Sequence, residues 1–153
     1  MIEILEMNVP EIDRLLKRVG YGHLACSFED QPYVVPIHYA YQRPHVFVYT
    51  TSGKKTDVIS ANPRVCLQIE EVTDNSTWKS VIVFGNAEKI VDKADREKAI
   101  KFIAAKNPSL TPAIGIRWDN NWIRDNVEVV YRIIPTLITG RRSEKVLRKG
   151  AIA

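Results

Sequence analysis

The chain has 153 residues, 45% hydrophobic and 26% charged. Those are the values of an ordinary soluble globular protein, and the length suits a single domain that buries about 70% of its unfolded surface. No apolar run approaches the ~20 residues of a membrane span, and residues 1–9 lack the form of a signal peptide, so the expectation is a cytoplasmic protein with no membrane partner. The net charge of +4 is spread along the chain apart from Arg141, Arg142, Lys145, Arg148 and Lys149. That cluster reads as a solvated tail, and no nucleic-acid partner is expected.

In chain order, Asn8 followed by Glu11 has the form of a capping box, with Pro10 in the first turn. Ile12, Leu15, Leu16 and Val19 recur at helical spacing, and Gly20 supplies the stop. Residues 21–28 read as a strand and 29–32 as a turn. Residues 34–41 and 46–51 read as two further strands joined by the hairpin-length link Gln42-Arg43-Pro44. A helix closed by Asn62-Pro63 follows. Residues 64–72 and 80–91 are strand-like, with Gly85 a bulge or close-approach point. Asp92 opens a second amphipathic helix, whose apolar side is Ala99, Phe102 and Ile103 and whose end is Asn107-Pro108. Residues 127–139 form the last strand. Six strands with two or three helices, linked early by hairpins, predict an antiparallel barrel with no repeat, linker or second domain.

The chemistry concentrates at Thr50-Thr51-Ser52-Gly53-Lys54-Lys55, where a strand hands over to a helix. Free backbone N–H groups and the positive end of the helix dipole make such a junction an anion site, read here as a phosphate site. A phosphate monoester would bring about −1.5 to −2 charges. Two lysines and the hydroxyls of Thr50 and Ser52 are placed to balance and orient them. His38 lies on a strand among apolar neighbours and, taken alone, reads more readily as a hydrogen-bonded structural group than as a functional one. His23 and His45 read as structural or exposed. Cys26 and Cys66 are far apart in apolar strands and read as buried thiols, and no spacing resembles a metal site. Glu70-Glu71 reads as a solvated strand end. Trp118 and Trp122, around Asp119-Asn120-Asn121, read as barrel packing or as a lid.

Five segments in order carry a family resemblance: Val35-Pro36-Ile37-His38-Tyr39-Ala40-Tyr41, Gly53-Lys54-Lys55, Ala61-Asn62-Pro63-Arg64-Val65-Cys66, Trp78-Lys79-Ser80-Val81-Ile82-Val83-Phe84-Gly85 and Thr139-Gly140-Arg141-Arg142. Together they resemble the pyridoxamine 5'-phosphate oxidase-related FMN-binding proteins, in the flavin-nucleotide-binding branch that includes nitroimidazole-resistance-like proteins. The resemblance implies a mainly β fold with flanking helices, a six-stranded antiparallel Greek-key split β-barrel. It also implies a homodimer with FMN at the subunit interface. Val35, Pro36, Ile37 and His38 would run along the isoalloxazine ring. Tyr49, Thr50, Lys54 and Lys55 match the phosphate-binding segment, with Ser52 beside them. Lys79, Ser80 and Val81 match a segment that reaches the flavin, with Trp78 covering the flavin or filling the interface. Arg141 would contact the cofactor phosphate or an anionic substrate. Val81, Val83 and Trp78 are the expected subunit surface.

The function so implied is a small oxidoreductase that exchanges electrons between a small-molecule donor and acceptor. Its alternatives are a carrier or sensor without turnover, and haem or deazaflavin F420 on the same barrel. Val34 and Val35 stand where the true oxidase has an arginine, and the oxidase's helical substrate pattern and C-terminal Arg-x-His pair are missing. Pyridoxamine phosphate is therefore not the expected substrate. Lys54 stands where the nitroimidazole-resistance branch often has a histidine.

Overall fold

Period-two alternation of apolar residues builds one antiparallel sheet in the computed structural model, which describes residues 1–107 and 128–146. The elements are β1 (Ile2–Glu6), α1 (Val9–Arg18), β2 (Tyr21–Phe28), β3 (Gln31–Gln42), β4 (His45–Thr51), α2 (Lys54–Ala61), β5 (Arg64–Asp74), β6 (Thr77–Lys89), α3 (Lys93–Lys106) and β7 (Glu128–Lys145). The sheet order is β1-β7-β4-β3-β2-β5-β6, and β6 pairs again with β7, so the ladder returns on itself. The mainly β fold with flanking helices is as expected, but seven strands stand where six were expected. The seventh is β1, which pairs the C-terminal half of a β7 that runs on to Lys145. Arg141, Arg142 and Lys145 are therefore strand residues and not a solvated tail. Arg142 also forms ion pairs with Glu11 at 3.1 Å and Glu144 at 3.4 Å.

The core lies on the inner face of this sheet, around Leu24, Tyr39, Val48, Leu67, Ile69 and Val83, none more than 1% exposed. The α1 helix starts where the sequence predicts, with the Asn8 side chain accepting from the Glu11 N–H at 2.9 Å, and it buries Ile12, Leu15 and Leu16. The Tyr39 hydroxyl donates to the Leu16 carbonyl at 2.9 Å and so ties the end of α1 to β3. On the other side of the sheet, α3 lays Ala99 and Ile103 against Ala40 and Val130. Tyr39, Ala40 and Tyr41 are consecutive buried residues because both faces are covered there. Gly85 sits at the expected bulge, where β6 approaches β7 so closely that a Cβ would collide with the Ile134 carbonyl.

One feature of the register positions the rest. β3 pairs β2 from Gln31 to His38 but pairs β4 only from Tyr39 to Gln42. On its other edge β4 pairs β7 from Val46 to Thr51, so beyond Val48 it keeps β7 as its partner, with Tyr49, Thr50 and Thr51 opposite Val130, Val129 and Glu128. The edge of β3 facing away from β2 thus has no described strand partner before Tyr39. The Tyr39 N–H donates to the Gly20 carbonyl, at the start of β2. Alternation then turns the backbone groups of Val34, Pro36 and His38 toward the open edge. Proline, with no N–H to offer a ladder, is suited to that edge.

Tyr39→Phe should leave the Leu16 carbonyl buried without its partner and cost about 1–3 kcal/mol of unfolding free energy. Chemical denaturation monitored by circular dichroism measures this. A loss within error would mean that the hydroxyl does not hold α1.

Candidate functional site

At the β4–α2 junction, Gly53 takes the N-cap position with extended backbone (φ 171°, ψ −157°), and no side chain caps the first turn. The nearest hydroxyl, Thr56, turns back on Gly53, accepting from its N–H and donating to its C=O, each at 2.8 Å. The first helical bond runs from the Asp57 N–H to the Gly53 carbonyl at 3.1 Å. Ser52, exposed, is not a cap. A Cβ on Gly53 would meet nothing within 4 Å, whereas one on Gly20, Gly22 or Gly85 would collide. Packing does not demand the glycine; the space above it is open. An uncapped helix start beneath open space is an arrangement that fits a phosphate.

The two lysines differ. Lys54 is exposed, with its ammonium 4.7 Å from the centroid of the Tyr33 ring. Lys55 is half-buried, and burial pushes its pKa below the ordinary lysine value, opposed by the nearby Cys26 thiol. Among the described residues no carboxylate pairs with either. Thr50 is buried, and its hydroxyl lies 3.5 Å from the Thr51 carbonyl. Tyr49 packs on the α3 side and donates to Glu128 at 3.3 Å, so its ring is not part of the junction.

Along β3 the four expected residues divide by pleat. Ile37 is in the core and Val35 packs against it, while Pro36 is exposed and His38 half-buried on the outer face. The His38 ring meets Tyr21 edge-on at 5.7 Å, and its Nδ1 lies 3.3 Å from Oδ1 of Asn107, the C-cap of α3.

A third group lines a cleft of about 580 Å³ between β1, α1, β6 and β7: Trp78, Ser80 and Arg141, with Met7, Ile12 and Ile82. Arg141 is exposed and has no ion pair among the described residues, and Ser80 accepts from the Gln68 amide at 3.2 Å. Lys79 and Val81 point the other way. Val81 and Val83 are fully buried, so the expectation that they form a subunit surface is wrong; the outward residues of β6 are Ser80, Ile82 and Phe84. Pleat parity gives two faces, and the sequence did not say which was inside.

The register sets the groups apart. Tyr33 lies opposite Cys26, Cys26 opposite Val65, and Val65 opposite Gly85, which marks the junction end. His38 lies opposite Tyr21 at the other end, where Glu70, Ser80 and Arg141 are also aligned. Five residues of strand separate the two rows, about 17 Å, and three strands lie between β3 and β7 on that side. One chain therefore brings Ser52, Lys54 and Lys55 to the open edge of β3, but not to Trp78, Ser80 and Arg141.

Residues 8–142 match the family model described as pyridoxamine 5'-phosphate oxidase. The chain belongs to this family. The chain is also 30% identical to a solved FAD-binding protein from Mesorhizobium loti, covering 95% of this chain and 100% of that one with a TM-score of 0.75. It also shares its fold with the FAD binding protein from Mycobacterium smegmatis, at 23% identity and a TM-score of 0.63, covering 91% and 98% of the two chains. An uncharacterized protein of Rhizobium meliloti (strain 1021) is 43% identical over 84 residues, 55% of this chain, and the match spans only 56% of that relative's length.

Family motifs locate the junction, the β3 edge and the cleft, but two residues were not legible as parts of the site. Thr56, and not Ser52, occupies the Gly53 backbone, which a threonine three residues after an N-cap could have signalled. Asn107 reads in sequence only as a helix stop. Trp118 and Trp122 lie outside the described residues. Among the described residues no group of His, Cys, Asp or Glu is placed to hold a metal, and no helix is long and apolar enough to cross a membrane.

The folded-state pKa of Lys55 lies below its unfolded value of 10.5, so folding disfavours its charged form. Stability of the ligand-free protein should therefore rise as pH increases from the lowered value toward 10.5. Lys55→Met should remove that rise and add about 1 kcal/mol at neutral pH. Denaturation curves at both pH values test this. Destabilisation at neutral pH would show that the ammonium is well solvated or paired.

Proposed function

We propose that this protein binds a flavin nucleotide, FMN, in the slot between the open edge of β3 and the β4–α2 junction. It acts as a homodimer in which the second subunit supplies Trp78, Ser80 and Arg141, on the six strands of a split barrel with β1 added at the edge. The observation that carries the reading is the uncapped start of α2, with open space over Gly53, placed beside a strand edge that has no strand partner among the described residues. Lys54, Lys55 and Ser52 balance and orient the phosphate. The backbone groups of Val34, Pro36 and His38 offer donors and acceptors to the polar edge of the ring. When bound, the flavin supplies the redox chemistry, and the protein passes electrons from a small-molecule donor to a small-molecule acceptor in the cytoplasm. Among the described residues neither cysteine is an activated nucleophile: burial raises the pKa of both Cys26 and Cys66.

The subunit surface in this reading is the outer face of β2, β3, β5, β6 and β7. It leaves Val34 60%, Leu137 56% and Tyr21 46% exposed in the single chain. Exposed apolar side chains of this size on a continuous face suit a second copy. Two such copies let the junction of each meet the cleft of the other.

FAD is the second reading, favoured by the Mesorhizobium loti protein. The purified protein should carry a flavin absorption spectrum, and chromatography of the released cofactor should give FMN. Released FAD would keep the slot and change the nucleotide. A Soret band, F420 or a protein that takes up no flavin would overturn the proposal.

Lys55→Ala should weaken FMN binding by about 1.5–3 kcal/mol and leave riboflavin affinity unchanged. Equal losses for both ligands in a titration would remove the phosphate assignment.

Sharing of the site between subunits has its own test. Lys55→Ala and Arg141→Ala protomers, each weak alone, should on mixing form dimers with one intact site. Mixtures that bind no more tightly than the separate variants would confine the site to one chain.

A further inference from the structure

We infer that Asn107 is a positioning residue that fixes His38 as its Nδ1–H tautomer, so that any proton the imidazole gains or gives up is carried on Nε2. The Asn107 side chain is buried, and its amide nitrogen donates to the Tyr39 carbonyl at 2.8 Å and the Ile103 carbonyl at 3.1 Å. Both amide hydrogens are used on carbonyls. Reversing the amide would set its oxygen against two carbonyl oxygens, so these bonds decide its orientation. Oδ1 is thereby turned to His38, 3.3 Å from Nδ1. An amide oxygen only accepts, so Nδ1 must hold the hydrogen whether the ring is neutral or charged.

The surroundings are built for this contact. Gly20 leaves the room that the Asn107 carbonyl fills, since a Cβ there would collide with Oδ1. The Gly20 carbonyl accepts from the Tyr39 N–H, and the Tyr21 ring packs edge-on to the imidazole at 5.7 Å. The same amide thus caps α3, crosses to β3 and orients a ring on the outer face. The consequence rests on the flavin reading: a neutral His38 that met the ligand through Nε2 would accept a hydrogen bond and not donate one. The orientation itself does not rest on that reading.

Long-range proton–nitrogen NMR of the full chain, labelled with 15N-histidine, reads the tautomer directly, without added flavin and in mildly alkaline solution. The expected pattern is a protonated Nδ1 and a lone-pair Nε2. Asn107→Leu should lose that pattern in favour of Nε2–H, and Asn107→Asp, which keeps the acceptor oxygen, should retain it. An Nε2–H pattern in the parent protein overturns the inference even if the leucine variant does not fold, as does an unchanged pattern in a folded Asn107→Leu. An Nδ1–H pattern in a protein that takes up no flavin sustains the tautomer and removes the slot's proposed ligand.

Discussion

The change of partner in β3 is the constraint on which the site depends. An antiparallel hairpin that begins at Gln42 and His45 would ordinarily continue its ladder to the end of β4. Here it stops at Tyr39 and Val48. On β3 the residues whose backbones face the gap include Pro32 and Pro36, which have no N–H to donate to a longer ladder. Tyr39 anchors the parting point from three directions. Its N–H bonds the start of β2, its hydroxyl bonds α1, and its carbonyl receives Asn107 from α3. A strand so fixed at one residue can leave its preceding half open without losing register.

The same economy of partners explains the two lysines. Lys54 rests on the face of Tyr33 and stays in contact with water, so it gives up little when a ligand arrives. Lys55 is partly desolvated and has no carboxylate among the described residues to balance it. Coulomb attraction strengthens as the local dielectric falls, so an anion at the α2 N-terminus interacts more strongly with Lys55 than with a fully solvated ammonium. The penalty that Lys55 brings to the empty fold is the counterpart of that attraction. A mutation that relieves it at neutral pH is expected to weaken the site.

What could be read in the sequence was local or periodic. The caps at Asn8 and Asp92 need only residues three positions away, and both are formed. The strands β2 to β6 were found because one face of each is apolar. β1 was missed because its isoleucines are exposed and it is short, so nothing distinguishes it from a polar leader. The end of β7 was missed because charged residues on both faces from Arg141 to Lys145 hide the alternation, and only the β1 and β6 ladders make it a strand. Inside and outside were confused at Val81 and Val83 for a related reason: a period of two fixes which residues share a face, not which face meets the core. Asn107 lies 68 positions from Tyr39 along the chain, and no local pattern announces so distant a bond.

The separation of the two ends bears on how the proposed site could work. In a single chain, a ligand held by Lys54 and Lys55 would reach toward His38 without meeting Trp78, Ser80 or Arg141. Trp78, Ser80 and Arg141 are at the correct end, but β6 and β7 lie across β2 and β5 from β3. A two-fold axis through the outer face would resolve this, because an isologous contact uses the same patch on both subunits and so makes two equal sites at once. The exposed Val34 and Leu137 would then be covered in the same step that sets Arg141 beside the partner's slot. Assembly and cofactor binding become linked: whatever stabilises the pair raises affinity for the nucleotide, and the bound nucleotide in turn holds the pair together.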